Sequence, residues 1–102
     1  MIRAEFYESK GFLTGFRFSG HSGYAESGSD IVCAAVSSAV QFTVNLLEEF
    51  GCSPSVIAED NTVDCSVSAD RNAARILKQL KLHFESILEE FPETINITIS
   101  EV

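Results

Sequence analysis

The sequence predicts an α+β domain, a mostly antiparallel sheet with two helices packed on one side, in the order β-β-α-β-β-α-β. Three observations carry that expectation. Apolar and polar residues alternate at both ends of the chain, as half-buried strands require. Two long segments between them show helical spacing or continuous apolarity. No linker, repeat or low-complexity tract divides the 102 residues, so residues 1–102 read as one domain.

Ile2, Ala4 and Phe6 alternate with Arg3, Glu5 and Tyr7, which gives a first strand. Glu8-Ser9-Lys10-Gly11 reads as a turn. Phe12, Thr14, Phe16 and Phe18 then share one face of a second strand, with Leu13, Gly15, Arg17 and Ser19 on the other. The first helix is expected to start after Ser29 or Asp30, both good N-caps, and to stop before Gly51. It is apolar nearly all round, from Ile31 and Val32 to Leu46 and Leu47, and so must be covered on most of its circumference. One small sheet covers one face, so a partner chain is expected on another. Ser55–Ala58 and Thr62–Val67 form a second hairpin around Glu59-Asp60-Asn61, with Val63, Cys65 and Val67 on one face. The second helix runs from about Asp70 to Phe91 with the stripe Ile76, Leu77, Leu80, Phe84, Ile87, Leu88, and Lys81 pairs with Glu85 one turn on. Ile95, Ile97 and Ile99 belong to a closing strand.

Composition narrows the function. A 45% hydrophobic and 22% charged chain is ordinary for a soluble protein. Its net charge of −8 disfavours nucleic acid as a direct ligand, because phosphate binding needs clustered Lys and Arg. It suits a basic polypeptide partner instead. Arg3, Glu5 and Glu8 interrupt any leader-like start, and Ser37, Ser38, Gln41, Thr43 and Asn45 interrupt the longest apolar run. A membrane is therefore not expected as a partner, and the cytoplasm is the expected compartment. Three cysteines, an odd number, argue for thiols rather than a disulfide framework. The two histidines are far apart and no Cys-x-x-Cys spacing occurs, so neither a metal nor another cofactor is expected.

Residues 19 to 38 carry the chemistry. Gly20, Gly23 and Gly28, half of the six glycines, fall in an expected loop of about ten small or polar residues joining a strand to a helix. Such a loop can open and close, with these glycines as hinges. Cys33 lies three residues after Asp30, inside the expected first turn of the helix. Unpaired N–H groups and the positive end of the helix dipole would stabilise a thiolate there and could receive an oxyanion. His21, at the far end of the loop, could take the thiol proton and return it to a leaving amine. Asp30 could orient the imidazole, although capping alone accounts for it. Ser37, one turn after Cys33, could face the same pocket or bond back to the Cys33 carbonyl. Position alone leaves Cys33 open between an activated thiol and a small core residue, and His21 open between a base and a loop residue that bonds backbone. Cys65 reads as core, Cys52 as an exposed loop thiol, and His83, between Leu80 and Phe84 on the second helix, as a boundary residue rather than a ligand.

The run Gly20-His21 followed by Gly28-Ser29-Asp30-Ile31-Val32-Cys33-Ala34-Ala35-Val36-Ser37 resembles the ribosomal-processing cysteine protease family. The resemblance also covers the length and the order of elements. It implies a homodimeric cytoplasmic endopeptidase that removes a short N-terminal extension from a ribosomal protein precursor, the twenty-seventh protein of the large-subunit series, cutting after paired phenylalanines. It implies His21 as base, Cys33 as nucleophile, and supporting roles for Asp30 and Ser37. The sequence departs from the family at Ser22, where Ala is common. Two other readings compete: a non-catalytic ribosome-assembly or interaction module, and a thiol redox enzyme in which Cys52 or Cys65 resolves an oxidised Cys33.

Overall fold

The structure, a computed structural model, describes residues 1–20, 27–59 and 61–102, the side chains of 27–30 excepted. Seven elements follow in the expected order: β1 (Ile2–Ser9), β2 (Phe12–Ser19), α1 (Ser27–Glu49), β3 (Ser55–Glu59), β4 (Thr62–Ser66), α2 (Arg71–Glu90) and β5 (Ile95–Glu101). One sheet holds the strands in the order β3-β4-β2-β1-β5. The β1–β5 pair is parallel and the other three neighbouring pairs are antiparallel. From those directions β2 and β3 run the same way, as do β4 and β5. Each helix is therefore the crossover that two like-directed strands need.

Local chemistry explains the hairpins. Lys10 and Gly11 alone join β1 to β2, at φ 54° and 82°, the left-handed pair that matches the twist of a two-residue hairpin. The strand that follows departs from simple alternation. Tyr7 pairs with Gly15 but Glu8 pairs with Leu13, so Thr14 is an extra residue in a bulge. The bulge flips the parity of β2: Leu13 packs against the core and Phe12 is turned outward, 37% exposed. The expectation that Phe12 shares the face of Phe16 and Phe18 is thereby corrected. Gly15 is required at the bulge, because a Cβ there would stand 2.3 Å from the Cys65 carbonyl oxygen.

One face of the sheet is apolar. Ile2, Ala4, Phe6, Phe16, Phe18, Cys65 and Ile95 are buried there, and Phe84 of α2 meets Phe18 edge-on at 5.1 Å between ring centroids. Both helices pack on this face, as the shared core of Phe6, Val36 and Leu77 shows. Asp70 caps α2 by accepting a hydrogen bond from the Ala73 N–H (3.0 Å), and Lys81 pairs with Glu85 at 3.1 Å.

α1 differs from expectation at its start. It begins at Ser27, so Gly28 lies in its first turn rather than in a loop, and Cys33 is its seventh residue, in the second turn rather than the first. Its end is as expected. Gly51 takes φ 73°, and bonds from Gly51 N–H to Glu48 and from Cys52 N–H to Leu47 close the helix. This closure half-buries Cys52 against the core, which corrects its reading as an exposed thiol. By length and composition Ile31–Glu49 could cross a bilayer, against the sequence expectation. Here Val32, Val36, Val40, Val44 and Leu47 instead form a stripe that closes the sheet core, while Ile31 and Phe42 remain exposed.

Candidate active site

α1 does not cover the whole sheet. Val56 and Ala58 of the edge strand β3 are paired to Cys65 and Val63, on the apolar face, yet both are exposed. Between them and α1 lies a groove of about 640 Å³. Its helix wall is the stripe Cys33, Val36, Ser37, Val40, Val44 and Glu48, residues three or four apart that share one side of a helix. Its opposite wall is Val56, Ala58 and Val63, and Gly20, Asn61 and Thr62 close one end.

The sequence places Cys33 and His21 at two ends of one connection, and the structure shows where that connection starts and finishes. Gly20, at φ 78°, donates its N–H to the Asn61 carbonyl (3.1 Å), which ties the end of β2 to the start of β4. A Cβ at Gly20 would reach the Met1 carbonyl oxygen at 3.0 Å, so the residue before His21 is confined by backbone on that side. Gly20 and Cys33 line the same groove. His21 and Gly23 lie outside the described residues, as does the side chain of Asp30. Gly20 takes the left-handed conformation, whereas Gly28, expected in the loop, is helical. Ser37 sits where the spacing put it, one turn from Cys33 on the groove wall.

Starting α1 at Ser27 also changes the electrostatics. The N–H of Cys33 is then inside the helix ladder, and the unpaired N–H groups belong to the turn before it. Helical side chains lean back toward the N-terminus, so Cys33 inclines toward the preceding turn rather than the following one. Cys33 is half-buried and lines the groove.

The other two thiols are set apart from this site. Cys65 has no exposed surface, and burial followed by the Asp64 charge pushes it up to about 11. Burial, then Asp70, also raises Cys52. Cys52 lies beyond the far end of α1, more than about 20 Å from Cys33 at 1.5 Å of rise per residue, far outside disulfide reach. A second depression, of about 690 Å³ between α1 and α2, holds Phe42, Leu46, Ile76 and Leu82, with His83 as its sole ionisable group and no thiol among the described residues. Among the described residues no cluster of His, Cys, Asp and Glu is placed to hold a metal ion.

Sequence reasoning missed the groove wall on β3 and β4.

Comparison with known proteins agrees with this arrangement. SMU.848 of Streptococcus mutans has the same fold at TM-score 0.84 and 30% identity, over 100% of this chain and 96% of that one. Two crystal structures of the ribosomal processing protease Prp from Staphylococcus aureus superpose as well. One, with a covalently linked product peptide, gives TM-score 0.85 at 26% identity, and the other, with a substrate peptide, 0.86 at 25%. Each covers 98% of this chain and 100% of the Staphylococcus chain. No curated protein matches. The family described as cysteine protease Prp matches residues 1–96. With a thiol on a groove and a match over nearly its whole length, the chain belongs to the Prp family of cysteine proteases.

Proposed function

We propose that this cysteine protease removes the N-terminal extension of a ribosomal protein precursor, the twenty-seventh of the large-subunit series, with Cys33 as nucleophile and His21 as general base. The observation that carries the proposal is the shared groove: Cys33 and Gly20, the neighbour of His21, line one cavity. The Staphylococcus relative is a ribosomal processing protease whose structures hold a substrate peptide and a covalently linked product peptide, which supports the same class of substrate here. An acidic chain of net charge −8 also suits a basic ribosomal protein.

In the proposed reaction His21 takes the proton from the Cys33 sulfur, and the thiolate attacks the scissile carbonyl carbon. The first-turn N–H groups of α1 face the oxyanion of the tetrahedral intermediate. Collapse breaks the C–N bond, and imidazolium His21 gives its proton to the departing amine. Water, deprotonated by His21, then hydrolyses the thioester and restores the thiol. Asp30 orients the imidazole and Ser37 contacts the substrate beside the sulfur. The redox alternative requires a resolving thiol, and the distance of Cys52 and the burial of Cys65 argue against one. We place the enzyme in the cytoplasm, as a homodimer joined through the apolar depression between α1 and α2.

The test is incubation with a peptide spanning the precursor's extension, followed by mass spectrometry. A single cut after the paired phenylalanines is expected. Intact peptide, or cuts scattered along it, would overturn the substrate assignment.

A further inference from the structure

The groove continues well past the reacting sulfur. Cys33 and Glu48 both line it and are fifteen residues apart on one helix, which at 1.5 Å of rise per residue is about 22 Å. An extended peptide rises about 3.3 Å per residue, so the groove matches six or seven residues of strand-like chain. Between Cys33 and Glu48 the lining is mostly apolar, with Val40 and Val44 on α1 and Val56 and Ala58 on β3, and Ser37 and Gln41 are the polar residues of the helix wall. Among the described residues no strand pairs with the outer side of β3, and all five of its residues are exposed. The far end differs in charge: Glu48 is exposed there, and it is the single ionisable residue of the lining besides Cys33 among the described residues.

We infer that this channel holds an extended substrate segment, with apolar side chains at alternate positions against Val40, Val44 and Val56, and that Glu48 reads a basic side chain six or seven residues from the scissile bond. Alternate positions face one way in a strand, which suits one apolar channel. The carboxylate supplies charge complementarity to a lysine or arginine at the segment's end and disfavours an acidic one. The inference rests on Cys33 being the nucleophile that marks the scissile bond.

Binding and cleavage separate the two ideas. The probes are fluorescein-labelled fourteen-residue peptides alternating leucine and serine, carrying Lys or Gln seven residues to one side or the other of the central bond, titrated by anisotropy against Cys33→Ala protein. Adding Glu48→Lys is expected to weaken one Lys peptide at least five-fold and leave its Gln counterpart within two-fold. Val56→Asp is expected to weaken both at least ten-fold. Ile57→Asp, on the opposite face of the same strand, is expected to change neither. Equal losses at Val56 and Ile57, indifference to Glu48→Lys, or no peptide binding at millimolar concentration would overturn the inference. So would sedimentation showing that Val56→Asp turns a dimer into monomers, because the occupant would then be a second copy. In the Cys33 protein, cleavage insensitive to Val56→Asp and Glu48→Lys removes the groove assignment and leaves the protease. The expected binding pattern without any cleavage of these peptides or of the precursor peptide removes the proposed reaction and leaves the groove.

Discussion

Cys65 faces Phe16 and Val56 across the sheet, and its burial has a consequence for stability. Its thiol is pushed from the ordinary value of 9.0 to about 11 in the folded protein. Between those values the unfolded chain has released the proton and the folded chain still holds it, so stability falls as pH rises. At about 1.4 kcal/mol per pH unit, the loss is on the order of 2 kcal/mol by pH 11. Urea midpoints measured from pH 8 to 11 should fall, and Cys65→Val should flatten the decline. A slope unchanged by Cys65→Val would contradict this role. The core position of Cys65 was legible, since Val63, Cys65 and Val67 alternate in the sequence. The need for glycine at position 15 was not. It depends on which carbonyl lies opposite, a fact of strand register rather than of local residues. Cys33 was legible as a thiol near a helix start, but only the structure showed the cavity onto which it opens.

Elements were read most accurately where a cap or a turn specifies them. The expected start of α2 at about Asp70 is close to the observed one: the helix begins at Arg71, and Asp70 caps it, its carboxylate accepting the Ala73 N–H. Asp70→Ala should therefore cost about 1 kcal/mol, seen as a lower urea midpoint, with Asp70→Ser recovering most of it. A loss within error would show that packing of Ala73 and Leu77 alone holds the helix end. Gly51 marked the end of α1 for the same reason, as a left-handed closing residue. The start of α1 was harder. Ser27, Gly28, Ser29 and Asp30 all suit an N-cap, so propensity did not choose among them, and the helix begins three to four residues earlier than expected. The bulge at Thr14 was invisible for a related reason. A strict alternation of Phe12, Thr14, Phe16 and Phe18 fits a regular strand, and what breaks it is the pairing with β1.

For the whole molecule, the apolar circumference of α1 divides into two parts. One closes the core through Val32, Val36, Val40, Val44 and Leu47, and Val36, Val40 and Val44 also reach the groove. The other leaves Ile31 at 57% and Phe42 at 64% exposed, with Leu82 of α2, 41% exposed, lining the same depression as Phe42. Homodimerisation through this last face predicts that the protein sediments as a dimer at tens of micromolar and that Phe42→Asp sediments as a monomer. A monomeric native protein would contradict it. The acidic balance and the thiol were legible in the sequence, and the groove was not, because it is made by a helix that stops short of the sheet edge. The account as a whole rests on Cys33 as the atom that attacks. Its most direct measurement is intact and peptide-mapped mass spectrometry of the protein after incubation with a chloromethyl ketone of the extension peptide. The expected result is one adduct, on Cys33, with none on Cys52 or Cys65, and complete loss of precursor cleavage in Cys33→Ala. An adduct on another residue, or cleavage by Cys33→Ala at the native rate, would contradict the account.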